Sequence, residues 1–266
     1  MGKLLGRIFK EDIKSTILWL ILPLVLAIVF ASLLKAFGEN PLVMIGMGLT
    51  MAFVVIGPFV ALVSVAINDY ERFYGKYASF YSAIPIETGS ILGARFINYI
   101  FMTLIAGLFA FANFMVFVNL ASGSTIYLSD AFEAFERALS EIGGANIALI
   151  ALYMVIMLVT NIMQVLFAIT AGSSRIFGRQ SKLKVVLVFM AVSLIIGYIF
   201  VAIQANSAMV YENSLYIDDN LSNIVNAKVY NRGYQITIAP IAYNLIVTLL
   251  LAAGTYYIHD KKLSVA

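Results

Sequence analysis

The chain has 266 residues, 62% of them apolar and only 12% charged, with a net charge of +3, no cysteine and a mean hydropathy of +0.95. A soluble domain is about 45–50% apolar and about 25% charged, so this chain has too little polar surface to coat a globule of its size and belongs in a lipid bilayer. The same figures exclude a disulfide scaffold, a thiolate zinc site, a disordered tail and a conventional nucleic-acid-binding domain.

From Gly2 to Lys14, Leu4, Leu5, Ile8, Phe9 and Ile13 recur at helical spacing, while Lys3, Arg7, Lys10 and Lys14 take the complementary face. This pattern predicts an interfacial helix over residues 1–16, lying flat with its basic face towards anionic headgroups. A solvated basic tail that only sets topology is the alternative. Six segments are then long and apolar enough to cross the hydrocarbon, which takes roughly 20 residues: Ile17–Leu34, Leu42–Ile67, Ile91–Leu120, Ile147–Ala171, Val185–Ile203 and Thr237–Ile258. The first is full length and followed by Lys35, unlike a cleaved signal peptide. The predicted fold is an all-α, six-span membrane protein, a single polytopic domain over residues 1–266.

The loops sort by charge. The N-terminal tail holds four basic residues; Arg72 and Lys76 lie in the second loop, Arg175, Arg179, Lys182 and Lys184 in the fourth, and Lys261 and Lys262 in the C-terminal tail. The opposite set holds Lys35, Arg137, Lys228 and Arg232. The positive-inside rule therefore places both termini in the cytoplasm.

The second loop, residues 68–90, is rich in aromatics. Phe73, Tyr77, Phe80 and Tyr81 fall at i, i+4, i+7 and i+8, which predicts a short cytoplasmic helix with one aromatic face. Pro85 forces Ile84 into an extended conformation, and Thr88 is the predicted N-cap of the third span. Aromatic residues and arginine held there suit a protein docking surface. In the third loop, Ser129–Ile142 reads as an external amphipathic helix with Phe132, Phe135, Leu139 and Ile142 on one stripe, an end cover or a gate. Asp130 with Glu133 resembles a capping box, and Gly143-Gly144 supplies the stop. The long fifth loop, 204–236, is polar and carries few structural signals; such loops are functional or partly disordered.

Chemistry is sparse. The one histidine, His259, sits at the inner end of the last span and reads as a helix-end residue, with catalysis the alternative. No zinc helix, nucleophile elbow or P-loop is present, so no catalysis, bound cofactor or metal is expected of this chain. All 14 acidic residues fall outside the predicted spans, whereas ion-coupled carriers place carboxylates within them. The energy source is therefore expected on a partner. Polar residues inside spans include Arg95, Asn98, Asn113, Asn161, Gln164 and Asn244. Asn161 and Gln164, three apart, are expected to share a face, towards a partner helix or a translocation path. Arg95 lies about 10 Å into its helix, seven residues past Thr88, and either snorkels to the headgroups or pairs with an acid of the second loop.

At this loop the sequence resembles the permease subunits of type-2 ABC exporters. Asp69, Glu71, Phe73, Tyr74, Gly75, Ser82, Ile84, Pro85, Ile86, Ile91, Leu92, Ala94 and Arg95 answer to that family's run of acids, aromatics and glycine, then Ser/Thr-Leu-Pro-Ile/Val, then Ile-Val, a small residue and lysine. Ile84 stands where leucine is usual, and Arg95 where lysine is usual. The resemblance implies a coupling helix that docks on a cytoplasmic ATPase through Tyr70, Arg72, Phe73, Tyr74, Gly75, Lys76, Tyr77, Phe80 and Tyr81, with Ser82, Ile84, Pro85 and Thr88 as its hinge. It makes the N-terminal segment an elbow helix and the fourth loop a second cytoplasmic contact. It also implies two ATPase subunits carrying ATP and Mg²⁺, a second permease (identical or related), residence in the cell membrane, and export of an amphipathic or hydrophobic peptide, lipid or drug, with peptide export or self-immunity foremost. An ATPase-independent transporter or sensor/immunity protein is the rival reading.

Overall fold

The computed structural model describes residues 1–38, 40–83, 85–122, 129, 132–133, 136, 144–174, 181–206 and 238–262. These residues are helical or in turns: α1 (Gly2–Phe37), α2 (Pro41–Phe73), α3 (Ala78–Ser82), α4 (Thr88–Ser122), α5 (Gly144–Gly172), α6 (Lys182–Asn206) and α7 (Ile238–Lys262). All but α3 are long and apolar enough to cross a membrane, which makes this an all-α, multi-pass membrane protein. Ser129, Phe132, Glu133 and Glu136 of the third loop are helical and exposed. The rest of its predicted stripe, most of the fifth loop, and Arg175 and Arg179 lie outside the described residues.

The six long helices form two groups of three. Helices α1, α2 and α4 pack on one another, α5 packs on α6 and α7, and few contacts join the groups. Apart from α6, which has no fully buried residue among those described, each long helix buries a narrow stripe and leaves the remainder to lipid. In α1 the buried positions run Leu4, Ile8, Asp12, Thr16, Leu20, Pro23, Ala27, Ala31, steps of three and four residues that trace one helical face. With lipid as apolar as leucine, close packing and hydrogen bonds hold the helices together. At Pro23 the Trp19 carbonyl loses its intrahelical donor, and there Gly57 of α2 comes so close that a Cβ would lie 2.7 Å from the Trp19 oxygen. One residue on, Asn113 of α4 donates to the Leu20 carbonyl at 2.9 Å.

The N-terminal segment departs from expectation. Helix α1 runs unbroken from Gly2 to Phe37, about 54 Å at 1.5 Å per residue, with no separate flat-lying element. Its first apolar residues are spent on protein: Leu4 and Ile8 pack with Tyr81 and Ala94, and Phe9 and Ile13 pack beside Val65 and Tyr99. Nothing in Gly2–Lys14 breaks a helix, and a face buried by α4 has no need of the interface.

The start of α1, the segment between α2 and α4, the start of α6 and the end of α7 meet at one end of the bundle. Met1 reaches Gly93, Lys182 pairs with Glu71, and Thr88 bonds Asp260. These are the same segments that the basic residues group together in the sequence.

Candidate functional site

The segment that joins α2 to α4 is short and heavily tied down. Helix α2 continues through Phe73; a tight turn over Tyr74–Tyr77 leads into α3, whose five residues end at Ser82. The turn closes where Glu71 accepts the Lys76 amide on its carboxylate at 3.0 Å and the Tyr77 amide on its carbonyl at 2.9 Å. Gly75 is required by this approach, since a Cβ there would lie 2.9 Å from the Glu71 Cα. Past Pro85 the chain re-enters a helix at Thr88, but the Glu87 carbonyl accepts the first helical hydrogen bond, from Ile91. The Thr88 hydroxyl, predicted to cap α4, instead donates to Asp260 of α7 at 3.3 Å. Ile84 and the Ser82 side chain lie outside the described residues.

The predicted single aromatic face is split in two. Because the turn interrupts the helix, Phe73 and Phe80 do not share its periodicity. Tyr70, Arg72, Tyr74 and Tyr81 are buried, and Lys76, Tyr77 and Phe80 are exposed. Phe73 is half-buried and Gly75 is set within the turn. Only Lys76, Tyr77 and Phe80 of the predicted docking residues therefore present a substantial outer surface, with Lys76 lying over the Tyr77 ring.

Beneath this surface lies a buried charge cluster. Arg95 of α4, wholly shielded, pairs with Asp69 of α2: its Nε donates to both carboxylate oxygens at 3.0 and 3.1 Å and its Nη2 to Oδ2 at 2.6 Å. This is the pairing with an acid of the second loop that the sequence allowed. Arg95 Nη1 donates to the Tyr74 hydroxyl at 3.2 Å, and the guanidinium lies beside the rings of Phe73 and Tyr74. The Tyr74 hydroxyl also shares a hydrogen bond with Thr170 of α5 at 3.1 Å, and its ring meets His259 of α7 edge-on.

A second pair flanks the first. Asp12 of α1, completely buried, receives both Nη groups of Arg72, the Asn68 amide at 2.9 Å and the Asn98 amide at 2.7 Å. Arg72 also donates through Nε to Glu11 at 3.0 Å. Tyr81 donates to the same Glu11 carboxylate at 3.2 Å, and Arg7 both pairs with Glu11 at 3.1 Å and lies over the rings of Phe80 and Tyr81. Burial raises the Tyr74 and Tyr81 phenols above their ordinary range, so both stay protonated. Two buried carboxylates face two buried guanidiniums, and the cluster is neutral as a whole.

The connector thus contacts both groups of helices. It reaches α1 through Tyr81 and Glu11, α4 through Tyr74 and Arg95, α5 through Thr170 and α7 through His259, while growing directly out of α2; at its two ends Glu71 of α2 pairs with Lys182 of α6 and Thr88 of α4 bonds Asp260 of α7. Lys182, which the resemblance places in a second cytoplasmic contact, stays exposed and pairs with Glu71 at the end of α2.

Asn161 and Gln164 do not share an environment. Gln164 is buried and donates to Ser193 of α6, while Asn161 stands exposed on α5 beside Met154 and Met157. Sequence reasoning missed Asp12, Asn68 and Thr170, and marked Asn98 only as a polar residue inside a span. Asp12 was findable, because it continues the stripe of Leu4 and Ile8 at a spacing of four. Among the described residues, no group of three or more His, Asp and Glu side chains is placed to hold a metal ion. Comparisons with protein-family models, with characterised proteins and with solved structures found no match.

Proposed function

We propose that this chain is the membrane-spanning permease subunit of an ATP-driven ABC exporter, in which the connector over residues 74–87 receives the stroke of a cytoplasmic ATPase. The observation that carries this reading is the two-sidedness of the connector. Its outer face offers Lys76, Tyr77 and Phe80, an aromatic and basic surface of the kind that anchors protein contacts. Its inner face is tied to both groups of helices, so a push on α3 moves the ends of α1, α2 and α4 together and tugs on α5 and α7.

The pairing of charges supports an external energy source. Among the described residues Asp12 and Asp69 are the buried acids, and each is already matched by an arginine, leaving neither as a ready carrier of protons or sodium. In this reading two ATPase subunits bind ATP and Mg²⁺ and the connector end faces the cytoplasm of the cell. A second permease completes the path for an amphipathic or hydrophobic substrate. Asn161 supports the second permease: an amide exposed on a span seeks a hydrogen-bond partner that lipid does not provide. Purification of the tagged full chain from membranes of its native host tests the proposal. An ATP-binding subunit is expected to co-purify in stoichiometric amount, and repeated recovery without one overturns the reading.

A further inference from the structure

Of the five prolines in the chain, Pro41 opens α2, Pro85 precedes α4 and Pro240 lies in the first turn of α7, places where no helical hydrogen bond is lost. Pro23 and Pro58 are different. Each sits in a helix interior, Pro23 in α1 and Pro58 in α2, and each deprives the carbonyl four residues earlier of its donor. Those carbonyls belong to Trp19 and Val54. The two breaks stand at one level of the bundle, because Gly57, the neighbour of Pro58, is seated on the Trp19 carbonyl and the Pro23 ring. A Cβ at Gly57 would lie 2.7 Å from the Trp19 oxygen and 3.2 Å from Pro23 Cγ. Helices bend where the ladder of hydrogen bonds is interrupted, and two adjacent helices interrupted side by side make a joint.

The parts on either side of this level are each held firmly. On the connector side, buried Asp12 ties α1 to Arg72 of α2 and to Asn98 of α4, and Arg95 of α4 pairs with Asp69 of α2. The bond from Asn113 of α4 to the Leu20 carbonyl also falls on the connector side of Pro23. On the far side, the Phe30 ring of α1 is seated on Gly46 of α2, Ala27 and Val43 are buried, and Asn40 caps α2 by accepting the Leu42 amide at 2.9 Å. Helix α4 is the contrast: it passes the same level without a proline. We propose that residues 24–37 and 41–57 form an arm that bends as one unit about the level of Pro23 and Pro58, against a base fixed by the buried ion pairs. A bend of about 20° at a proline, acting over the roughly 20 Å between Pro58 and Ile45, carries Ile45 sideways by roughly 7 Å. The joint follows from packing and backbone bonding alone, and it stands or falls apart from the transport reading.

The chain contains no cysteine, so introduced cysteines are the only sites for spin labels. Ile45→Cys on α2 and Ile28→Cys on α1, each combined with Phe114→Cys on α4, report the arm, and Ile67→Cys with Phe114→Cys reports the base; all four side chains are exposed. Distance distributions are measured by double electron–electron resonance on the full chain in lipid nanodiscs. Both arm pairs are expected to spread over roughly 7 Å more than the base pair. Pro23→Ala together with Pro58→Ala restores both backbone donors and is expected to narrow the arm pairs to the width of the base pair. Equal widths for all three pairs would overturn the proposal, and so would an arm spread that survives the loss of both prolines. The first comparison needs no proline variant, so it decides even if the double substitution does not fold.

Discussion

Asp69 and Arg95 show how much a single pair is asked to do. Taken out of water, each is tolerable only because the other is there, and removing one partner leaves a buried charge that costs about 3–5 kcal/mol. Asp69→Asn, and separately Arg95→Met, are therefore expected to lower thermal stability in detergent by that order. The double substitution is expected to be more stable than either single one, as followed by fluorescence of the lone Trp19. Equal losses in all three proteins would contradict a direct pairing. The pair was half legible in the sequence: an arginine inside an apolar helix with acids in the adjoining loop allows either snorkelling or a partner, and only the fold places Asp69 within reach. Asp12 was less visible, because it lies among the basic residues of the N-terminal segment while its position continues the apolar stripe of Leu4 and Ile8.

At the scale of the element, the connector is set by a glycine and by where a helix stops. Gly75→Ala would push a methyl group into the Glu71 backbone, and a loss of about 1 kcal/mol or more is expected, measurable by the same unfolding assay. Glu71→Gln breaks the tie to Lys182, a pair open to solvent, and is expected to cost less than about 1 kcal/mol. A larger loss would mean that the tie carries more of the fold than its exposure implies. The aromatic spacing of this segment was plain in the sequence, but periodicity assumes an unbroken helix. The turn at Tyr74–Tyr77 instead sends Tyr74 and Tyr81 inward and Tyr77 and Phe80 outward. The elbow helix failed for the converse reason: amphipathicity marks a face to be covered without naming the cover, which here is α4 and the connector rather than headgroups.

At the scale of the whole molecule, six spans and the grouping of basic loops at one end were fully legible, since bilayer thickness and charge distribution dictate both. The division into two groups of three helices was not, because it depends on which small residues meet across helices. The exposed Asn161 bears on assembly. Asn161→Leu is expected to leave the folded monomer unchanged to within about 0.5 kcal/mol and to weaken self-association or pairing with a related permease by about 1 kcal/mol. Energy transfer between labelled copies in bilayers would measure this, and unchanged association would place the amide elsewhere, on a path or at another partner. The central claim, that the connector's outer face receives an ATPase while its inner face grips the bundle, is tested most directly by a photo-crosslinking amino acid placed in turn at positions 77, 80, 74 and 81 in native membranes. The account predicts capture of an ATP-binding subunit from 77 and 80, and only intramolecular products from 74 and 81. Failure to capture such a subunit from 77 or 80, or equal capture from all four positions, would contradict it.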